Sequence, residues 1–151
     1  MEKETNHALN TMLVKLFNTV MLQEEKAIIT EEFKDITNND MHIIEAIGMD
    51  EPKPSSVVAK KMDITMGTLT KAIDGLTSKN YVNRERSQED KRVVLLSLAD
   101  KGKAAFHHHA EFHRNMIKAV MAQLDQEEME ILTKSLEDLT RYLKSLGEGK
   151  R

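Results

Sequence analysis

The sequence predicts a mainly α-helical fold that carries one small β-hairpin. Over most of the 151-residue chain, apolar residues recur at three- and four-residue steps, which is the spacing of one helix face. Aromatic residues make up only 4% of the chain, and Gly and Pro number 6 and 2, which argues against a β-sandwich or barrel. A single run, Arg92 to Leu98, is β-branched and aliphatic, as expected of a strand.

The N-terminal part of the chain predicts two helices and a turn. Helical spacing extends from Asn6 to about Ile29 and predicts the first helix. Thr37 or Asn38 can cap a second helix, which Gly48 ends. Two prolines at 51–54 predict a rigid turn, because Pro restricts its own backbone and that of the residue before it.

The middle of the chain predicts a short helix, a tight turn and a longer helix. Ser55 is an N-cap candidate for the short helix, and Thr65 can cap the longer one. The longer helix has Leu69, Ile73 and Leu76 on its inner face.

A hairpin and two long helices complete the chain. An extended run begins at Tyr81, residues 87–90 form a polar turn, and Arg92–Leu98 returns as the second strand. Helical spacing resumes from Asp100 to Met121, and Asp125 caps a last helix.

Charge is distributed unevenly along the chain. The net charge is −3, yet the segment 53–103 contains eleven Lys/Arg against six Asp/Glu and is locally +5. The remainder of the chain is −8. A basic middle between acidic ends indicates a segment that faces a polyanion, although a solvated charge pattern without a partner explains the charge alone equally well.

Several classes of protein are excluded by what the sequence lacks. It contains no cysteine, so disulfide scaffolds, cysteine catalysis and thiolate metal sites are ruled out. It has no apolar stretch of 18 residues and no signal-peptide core, so we expect a soluble, cytoplasmic protein without a membrane partner. No Gly-rich phosphate loop, His-Glu-x-x-His or Gly-x-Ser-x-Gly motif is present, so we expect no enzymatic activity.

Helix–turn–helix followed by a hairpin is the order of a winged helix-turn-helix, which lays its second helix in the DNA major groove. Hydroxyl side chains suit phosphate oxygens and base edges, and cations suit phosphate or guanine. The sequence therefore predicts DNA contacts at Ser55, Thr65, Thr68, Thr70, Lys71, Arg84, Arg86, Lys91 and Arg92. Helix capping and surface solvation explain any one of these residues better, but DNA binding explains the whole set better.

The end helices carry longer apolar stripes than a middle domain of about 60 residues can cover. A second copy of the chain would cover them, so we expect a homodimer that presents two such helices to a pseudo-palindromic operator in double-stranded DNA. We accordingly predict a dimerisation helix in 1–35, a DNA-binding domain in 36–100 and dimerisation helices in 101–151.

The sequence resembles the MarR family of bacterial regulators. The resemblance lies in Thr70–Leu76, Lys79–Val82, Arg84, Asp90–Arg92 and Leu96–Gly102. Asn80 stands where the family usually has Gly, and Asn tolerates the left-handed backbone required there. The resemblance implies a homodimer that binds DNA through 65–79 and 84–92, in which Asp90 orients an Arg92 side chain that enters the minor groove.

Within that family the sequence is similar to FabT-type repressors of fatty-acid synthesis genes in Gram-positive bacteria. The matching stretches are 33–36, Met41-His42, Ile47-Gly48, Gly67-Thr68, Arg92–Val94 and Phe112-His113 before Met116. The resemblance implies repression with long-chain acyl groups on acyl carrier protein as corepressor. Apolar side chains that could line an acyl pocket, or form ordinary core, are Met12, Leu16, Met21, Met41, Met116 and Val120.

Four of the six histidines lie between 107 and 113. His109 and His113 are four residues apart on one helix face, so both can bind one Zn²⁺, and Glu24 and His42 can complete the ligand set. This set resembles the metal site of zinc-sensing MarR-type regulators of metal uptake genes. FabT-type repressors also keep the three histidines, and exposed histidines without a role are a further alternative. Zinc-responsive regulation is therefore the alternative function.

Overall fold

The computed structural model describes residues 2–28, 30 and 32–148, in which helices predominate over a small antiparallel sheet. The helices are α1 (Glu2–Ile28), α2 (Asn38–Ile47), α3 (Ser55–Met62), α4 (Met66–Ser78), α5 (Asp100–Met121) and α6 (Gln126–Glu148). The strands are β1 (Lys53–Pro54), β2 (Val82–Arg86) and β3 (Val94–Leu98). The predicted fold class is confirmed, while Ile29, the predicted end of the first helix, lies outside the described residues.

The chain divides into two compact units, residues 1–112 and 113–151. The first unit contains α1 to α4, the sheet and the first part of α5. The second unit contains the rest of α5 together with α6. The finer division at 35 and 100 stays a prediction.

Helix α2 begins and ends at residues whose local chemistry fits those positions. The Thr37 hydroxyl accepts a hydrogen bond from Asp40 N at 3.1 Å, and the Asp40 carboxylate accepts one from Thr37 N at 3.0 Å, which forms a capping box. Gly48 ends the helix with a φ of 73°, a backbone conformation that favours glycine. Lys53 Nζ donates to the carbonyl of Ile47 at 2.6 Å and so satisfies one of the last carbonyls of α2.

The hydrophobic core of the first unit surrounds α2. Five of its ten residues are buried, namely Met41, Ile43, Ile44, Ala46 and Ile47. The predicted inner face of α4 is confirmed, since Leu69, Ile73 and Leu76 are all buried in the same core. Burial of this apolar face leaves the opposite face of α4 directed outwards.

The predicted hairpin belongs to a three-stranded sheet of order β1–β3–β2. The predicted rigid turn at 51–54 is wrong at its end, because Lys53 and Pro54 pair antiparallel with Leu96 and Leu95 of β3. Pro54 fits this place since an edge strand does not need every N–H. The predicted N-cap at Ser55 is also wrong: Pro54 holds that position, and the Ser55 hydroxyl instead donates to Val94 O at 3.1 Å.

The turn between α4 and β2 is closed by backbone contacts with the start of α5. Asn80 has a φ of 65°, which confirms the left-handed conformation predicted for it. The carbonyl of Tyr81 accepts a hydrogen bond from Ala99 N at 3.0 Å. A Cβ atom added at Gly102 would lie 2.1 Å from the same carbonyl oxygen, so α5 approaches this strand closely only because residue 102 is glycine.

Helices α1 and α6 each expose large apolar side chains. On α1 these include Leu9, Met12, Leu16 and Phe17, and on α6 they include Ile131, Leu136, Leu143 and Leu146. The predicted cap of α6 is confirmed: Asp125 accepts from Glu128 N, and the Glu128 carboxylate accepts from Asp125 N, both at 2.9 Å. Among the described residues, none of the helices has the length and apolar character needed to cross a membrane.

Asp35, in the connector between α1 and α2, joins distant parts of the first unit. Its carboxylate accepts hydrogen bonds from the Tyr81 hydroxyl at 2.6 Å and from Lys101 Nζ at 3.1 Å, and its carbonyl accepts one from Lys79 Nζ at 2.5 Å. The Tyr81 hydrogen bond, with Lys101 beside it, holds the pKa of Asp35 below its usual value. Burial raises the pKa of Tyr81, and the hydrogen bond to Asp35 adds to that shift.

We expect Gly102→Ala to lower the free energy of unfolding by about 1–3 kcal/mol, because the new methyl group collides with the Tyr81 carbonyl. Gly75→Ala is the matched control, since no atom lies within 4 Å of a Cβ added at that helical position. It should raise the free energy of unfolding by about 0.5–1 kcal/mol. Urea denaturation of both variants measures the two effects, and a neutral Gly102→Ala would show that α5 can move away.

Tyr81 should make stability fall at alkaline pH. The native pKa of Tyr81 is raised above the value of about 10 of an unfolded tyrosine. Its contribution is therefore complete below about pH 10 and is lost as the pH rises towards the native pKa. Urea titrations above about pH 10 should show a steeper loss of unfolding free energy for the wild type than for Tyr81→Phe. All other titratable groups are common to the two proteins, so parallel curves would contradict this account.

Candidate DNA interface

The outer face of α4 carries the hydroxyl groups that the sequence assigned to DNA. Thr65, Thr68 and Thr70 are exposed, on the side opposite the buried Leu69 and Ile73. Thr65 is the N-cap, accepting from Thr68 N at 3.2 Å and donating to Thr68 Oγ1 at 2.9 Å. Thr68 therefore keeps its own hydroxyl hydrogen for an external acceptor such as a phosphate oxygen.

Thr70 and Lys71 lie one turn further along the same helix. The Thr70 hydroxyl donates to Met66 O at 2.8 Å, which leaves its oxygen lone pairs as acceptors towards solvent. Lys71 is exposed, and no described residue pairs with its ammonium group. A cation that no neighbour neutralises, on the outward face of a helix, is suited to a phosphate or a guanine edge.

The hairpin tip is a loop braced by its own hydrogen bonds. The Ser87 hydroxyl accepts from Glu89 N at 3.2 Å and Asp90 N at 3.4 Å, and Arg86 donates to Lys91 O at 2.8 Å. Asp90 accepts from the backbone N of Arg92 at 3.0 Å. Asp90 thus fixes the backbone of Arg92, and the guanidinium group has no partner among the described residues.

Arg84, one of the predicted DNA contacts, lies away from the hairpin tip. It lies in the middle of β2 opposite Leu96, and its guanidinium forms an ion pair with Asp74 of α4 at 2.5 Å. The pairing register of β2 places Arg84 three residues before the tip at 87–90, and its side chain faces α4. Arg84 therefore links the wing to α4, and Asp74 is a residue that the sequence did not identify because its partner lies ten residues away.

Ser55 lies at the edge of this surface. It is half-buried at the first position of α3, and its hydroxyl hydrogen is used by Val94 O. Only the lone pairs of its oxygen remain for an external donor. Its contact with DNA stays a prediction, as do those of the other residues on this surface.

The predicted metal ligands Glu24, His42 and His109 lie close together in the first unit. His42 Nε2 is 3.9 Å from Glu24 Oε2, and a ring nitrogen of His109 lies within 4.8 Å of a Glu24 oxygen. Glu24 and His109 are both buried. Asn38 Nδ2 donates to Glu24 Oε2 at 3.4 Å, and Glu45 Oε2 lies 3.6 Å from His109 Nε2.

The fourth predicted ligand, His113, follows His109 by one turn of α5, so the two rings project from the same helix face. Nitrogen and carboxylate oxygen donors in this combination are chemically suitable ligands for Zn²⁺. The buried carboxylate can balance the charge of a bound cation, and an imidazole nitrogen can give the metal its lone pair.

The six predicted pocket residues have different surroundings. Met12, Leu16 and Met21 lie exposed along α1, whereas Met41 is completely buried in the core. Met116 and Val120 are on α5 in the second unit. In the first unit a groove of about 650 Å³ is lined by Asn18, Met21, Leu22, Glu25, Ile28, Lys34, Ile36, Thr37 and Asn38. The sequence missed most of this lining because the connector after α1 turns back along that helix.

Comparison with known proteins assigns the chain to a family. Residues 24–109, which include α2, the sheet and α4, match the family described as transcriptional regulator SarA/Rot. The chain belongs to this MarR-type family of winged-helix transcriptional regulators. The regulator therefore binds DNA and is not an enzyme, as the sequence predicted.

Individual relatives agree with this assignment. The regulator is 30% identical over 133 residues to the HTH-type transcriptional regulator PchR of Bacillus subtilis, covering 85% of this chain and 79% of PchR. It is similar to the crystal structure of Streptococcus pneumoniae FabT in complex with DNA, with 34% identity, a TM-score of 0.88, and coverage of 93% and 99% of the two chains. A mutant MarR from E. coli with operator DNA shares the fold at 22% identity and a TM-score of 0.63, over 84% and 92% of the chains.

Lys71→Ala and Arg92→Ala should each weaken operator binding and flatten its dependence on salt. Each phosphate contact that is lost removes about 0.9 from the slope of log K against log salt, because fewer counterions are released. Fluorescence anisotropy at several salt concentrations, with a duplex selected by the wild-type protein from a random library, measures both quantities.

Two further variants make this test specific. Lys15→Ala removes a cation from α1 and should leave the slope unchanged. Arg84→Ala should reduce the slope less than Arg92→Ala does, because Asp74 already neutralises Arg84. Wild-type affinity and slope in both the Lys71 and Arg92 variants would contradict the placement of DNA on this surface.

Proposed function

We propose that this regulator is a homodimeric repressor of fatty-acid synthesis genes whose operator binding is tightened by long-chain acyl groups on acyl carrier protein. The observation that carries the proposal is the similarity to FabT, at 34% identity over 93% of this chain. Such a repressor acts in the cytoplasm, where both the chromosome and the acyl carrier protein of a bacterium are found.

The exposed apolar side chains of α1 and α6 support the homodimer. Leu9, Met12 and Phe17 on α1 are each more than half exposed, as are Ile131 and Leu143 on α6. Such surfaces are costly to leave in water, and a second copy of the chain would bury them. A twofold dimer then presents two α4 helices to a pseudo-palindromic operator, with half-sites about one DNA turn apart.

The outward face of α4 and the hairpin tip supply the proposed operator contacts. The proposal assigns the major groove to α4 and assigns the phosphates or minor groove to the tip. The residues are those predicted from the sequence: Ser55, Thr65, Thr68, Thr70, Lys71, Arg84, Arg86, Asp90, Lys91 and Arg92. Arg84 and Asp90 contribute through their bonds to Asp74 and to the Arg92 backbone, respectively.

The groove beside α1 is the proposed place of the acyl chain. Its volume of about 650 Å³ lies within the range of about 300–1,000 Å³ that is usual for small-molecule sites. Met21, Leu22, Ile28 and Ile36 give it an apolar lining that suits a hydrocarbon chain. Of the six pocket residues predicted from the sequence, this groove includes Met21.

A second candidate function is zinc-responsive regulation of metal uptake genes. The specific observation in its favour is the group formed by Glu24, His42 and His109, with His113 on the next turn of α5. Bound zinc would supply a fixed link between α1, α2 and α5. Glu45 and Asn38 would orient His109 and Glu24 as outer partners.

A paired titration distinguishes the two candidates. Palmitoyl-acyl carrier protein should tighten operator binding by the wild-type protein about tenfold or more, the size of a coupling of roughly 1.4 kcal/mol. Leu22→Trp, which fills the groove, should abolish this effect, whereas His109→Ala should retain it. Added Zn²⁺ should leave operator affinity unchanged. Anisotropy with the same selected duplex reads out every arm.

The controls separate a blocked groove from a damaged protein. Gln23→Trp changes an exposed polar residue of the same helix outside the groove and should respond to the acyl carrier as the wild type does. Acyl carrier protein without its acyl chain should have no effect. If Zn²⁺ tightens binding and His109→Ala removes that response, the zinc function replaces the fatty-acid function. If neither compound changes affinity, both candidates are wrong.

A further inference from the structure

We propose that Asp35, Tyr81 and Lys101 are positioning residues for operator binding, which hold the DNA-binding lobe at a fixed angle to α1 and to the first turn of α5 and so set the half-site spacing that the dimer accepts. The lobe is defined here as α2 to β3. The inference goes beyond the identity of the effector and rests on the proposed homodimer.

The three residues lie where the lobe joins the rest of the chain. The lobe has two covalent junctions: the connector between α1 and α2, and the short link between β3 and α5. Asp35 is in the first junction, and Lys101 is in the first turn of α5, directly after the second. The ion pair between them, at 3.1 Å, therefore fastens one junction to the other across 66 residues of sequence.

The same carboxylate is bonded to the end of the helix that reads DNA. Tyr81, between α4 and β2, donates its hydroxyl to Asp35 at 2.6 Å. This length is typical of a charge-assisted O–H···O⁻ hydrogen bond, which is stronger than a neutral one. Lys79, the C-cap of α4, donates to the Asp35 carbonyl at 2.5 Å. Asp35 thus holds both the end of α4 and the start of the wing.

Packing around Tyr81 makes these bonds directional. The Tyr81 side chain is fully buried, and Lys101 Nζ lies 4.4 Å from the centre of its ring. Its carbonyl accepts from Ala99 N and lies against Gly102 of α5. Because the ring is buried, its hydroxyl is held towards Asp35, so that loss of the Asp35 carboxylate should loosen the angle of the lobe.

The consequence for DNA is geometric. In a twofold dimer the separation of the two α4 helices depends on the angle of each lobe, and it must match half-site centres about one DNA turn apart. One inserted base pair moves a half-site by about 3.4 Å along the axis and rotates it by about 35°. A lobe held firmly at both junctions rejects that change, whereas a loosely held lobe adapts to it.

The test measures how strongly the protein discriminates half-site spacing. Operator duplexes are selected by the wild-type protein, and one base pair is then inserted at the centre. The wild type should bind the inserted duplex at least tenfold more weakly. The spacing ratio is the affinity for the selected duplex divided by the affinity for the inserted duplex. It should fall about threefold or more in Asp35→Asn, Tyr81→Phe and Lys101→Gln. Lys103→Gln and Tyr142→Phe, which change a neighbouring lysine and the only other tyrosine, should keep the wild-type ratio.

Parallel measurements separate positioning from general stability. Light scattering gives the oligomeric state and thermal denaturation gives the melting temperature of each variant. Lower melting temperatures with an unchanged spacing ratio would overturn the proposal. A monomeric wild type would overturn the homodimer and the proposal together. A dimeric wild type that binds both duplexes equally would overturn the proposal alone. Asp35→Asn keeps the shape of the side chain, so it provides a folded variant even if Tyr81→Phe does not fold.

Discussion

The hydrogen bond from the Tyr81 hydroxyl to the Asp35 carboxylate connects the parts of the first unit that the sequence assigns to DNA binding. Lys101 shares the same carboxylate, and Lys79 binds the carbonyl of the same residue. One short segment after α1 therefore contacts the end of α4, the start of the wing and the start of α5. The charge of Asp35 is compensated within this group, which is why its pKa lies below the usual value.

Helix α4 contributes both to the core of the first unit and to its outer surface. Its inner face fills the core with Leu69 and Leu76, and its outer face presents threonines and Lys71 to solvent. The core determines where the helix lies, while the Arg84–Asp74 ion pair relates it to the wing. An exposed ion pair adds little stability, so its main effect is to limit the relative orientations of α4 and β2.

Both candidate effector sites adjoin the connector that contains Asp35. Lys34 and Ile36, on either side of it, line the groove beside α1. Asn38, at the start of α2, donates to Glu24 in the histidine group. An acyl chain in the groove would thus contact residues next to Asp35, whereas zinc in the histidine group would bind Glu24, to which Asn38 donates. The same connector contacts the end of α4, because Lys79 donates to the Asp35 carbonyl.

The sequence by itself determined the helices and the features that depend on neighbours within one turn. The caps at Thr37, Thr65 and Asp125 and the left-handed Asn80 follow from local hydrogen bonding and backbone sterics, so a pattern of a few residues predicts them. The wing motif and the helix–turn–helix order predicted the DNA-binding surface in the same way, and the spacing of the histidines predicted which of them share a face.

Only the tertiary structure decided the contacts between residues far apart in sequence. The pairing of Lys53–Pro54 with β3, the partner of Arg84, and the bonds of Asp35 to Tyr81 and Lys101 join residues 10 to 66 positions apart. A periodic pattern in the sequence does not indicate such pairs, because each pair depends on how separate elements pack against α2. The sequence therefore predicted which surface meets DNA, and the packing of the core decided how that surface is held.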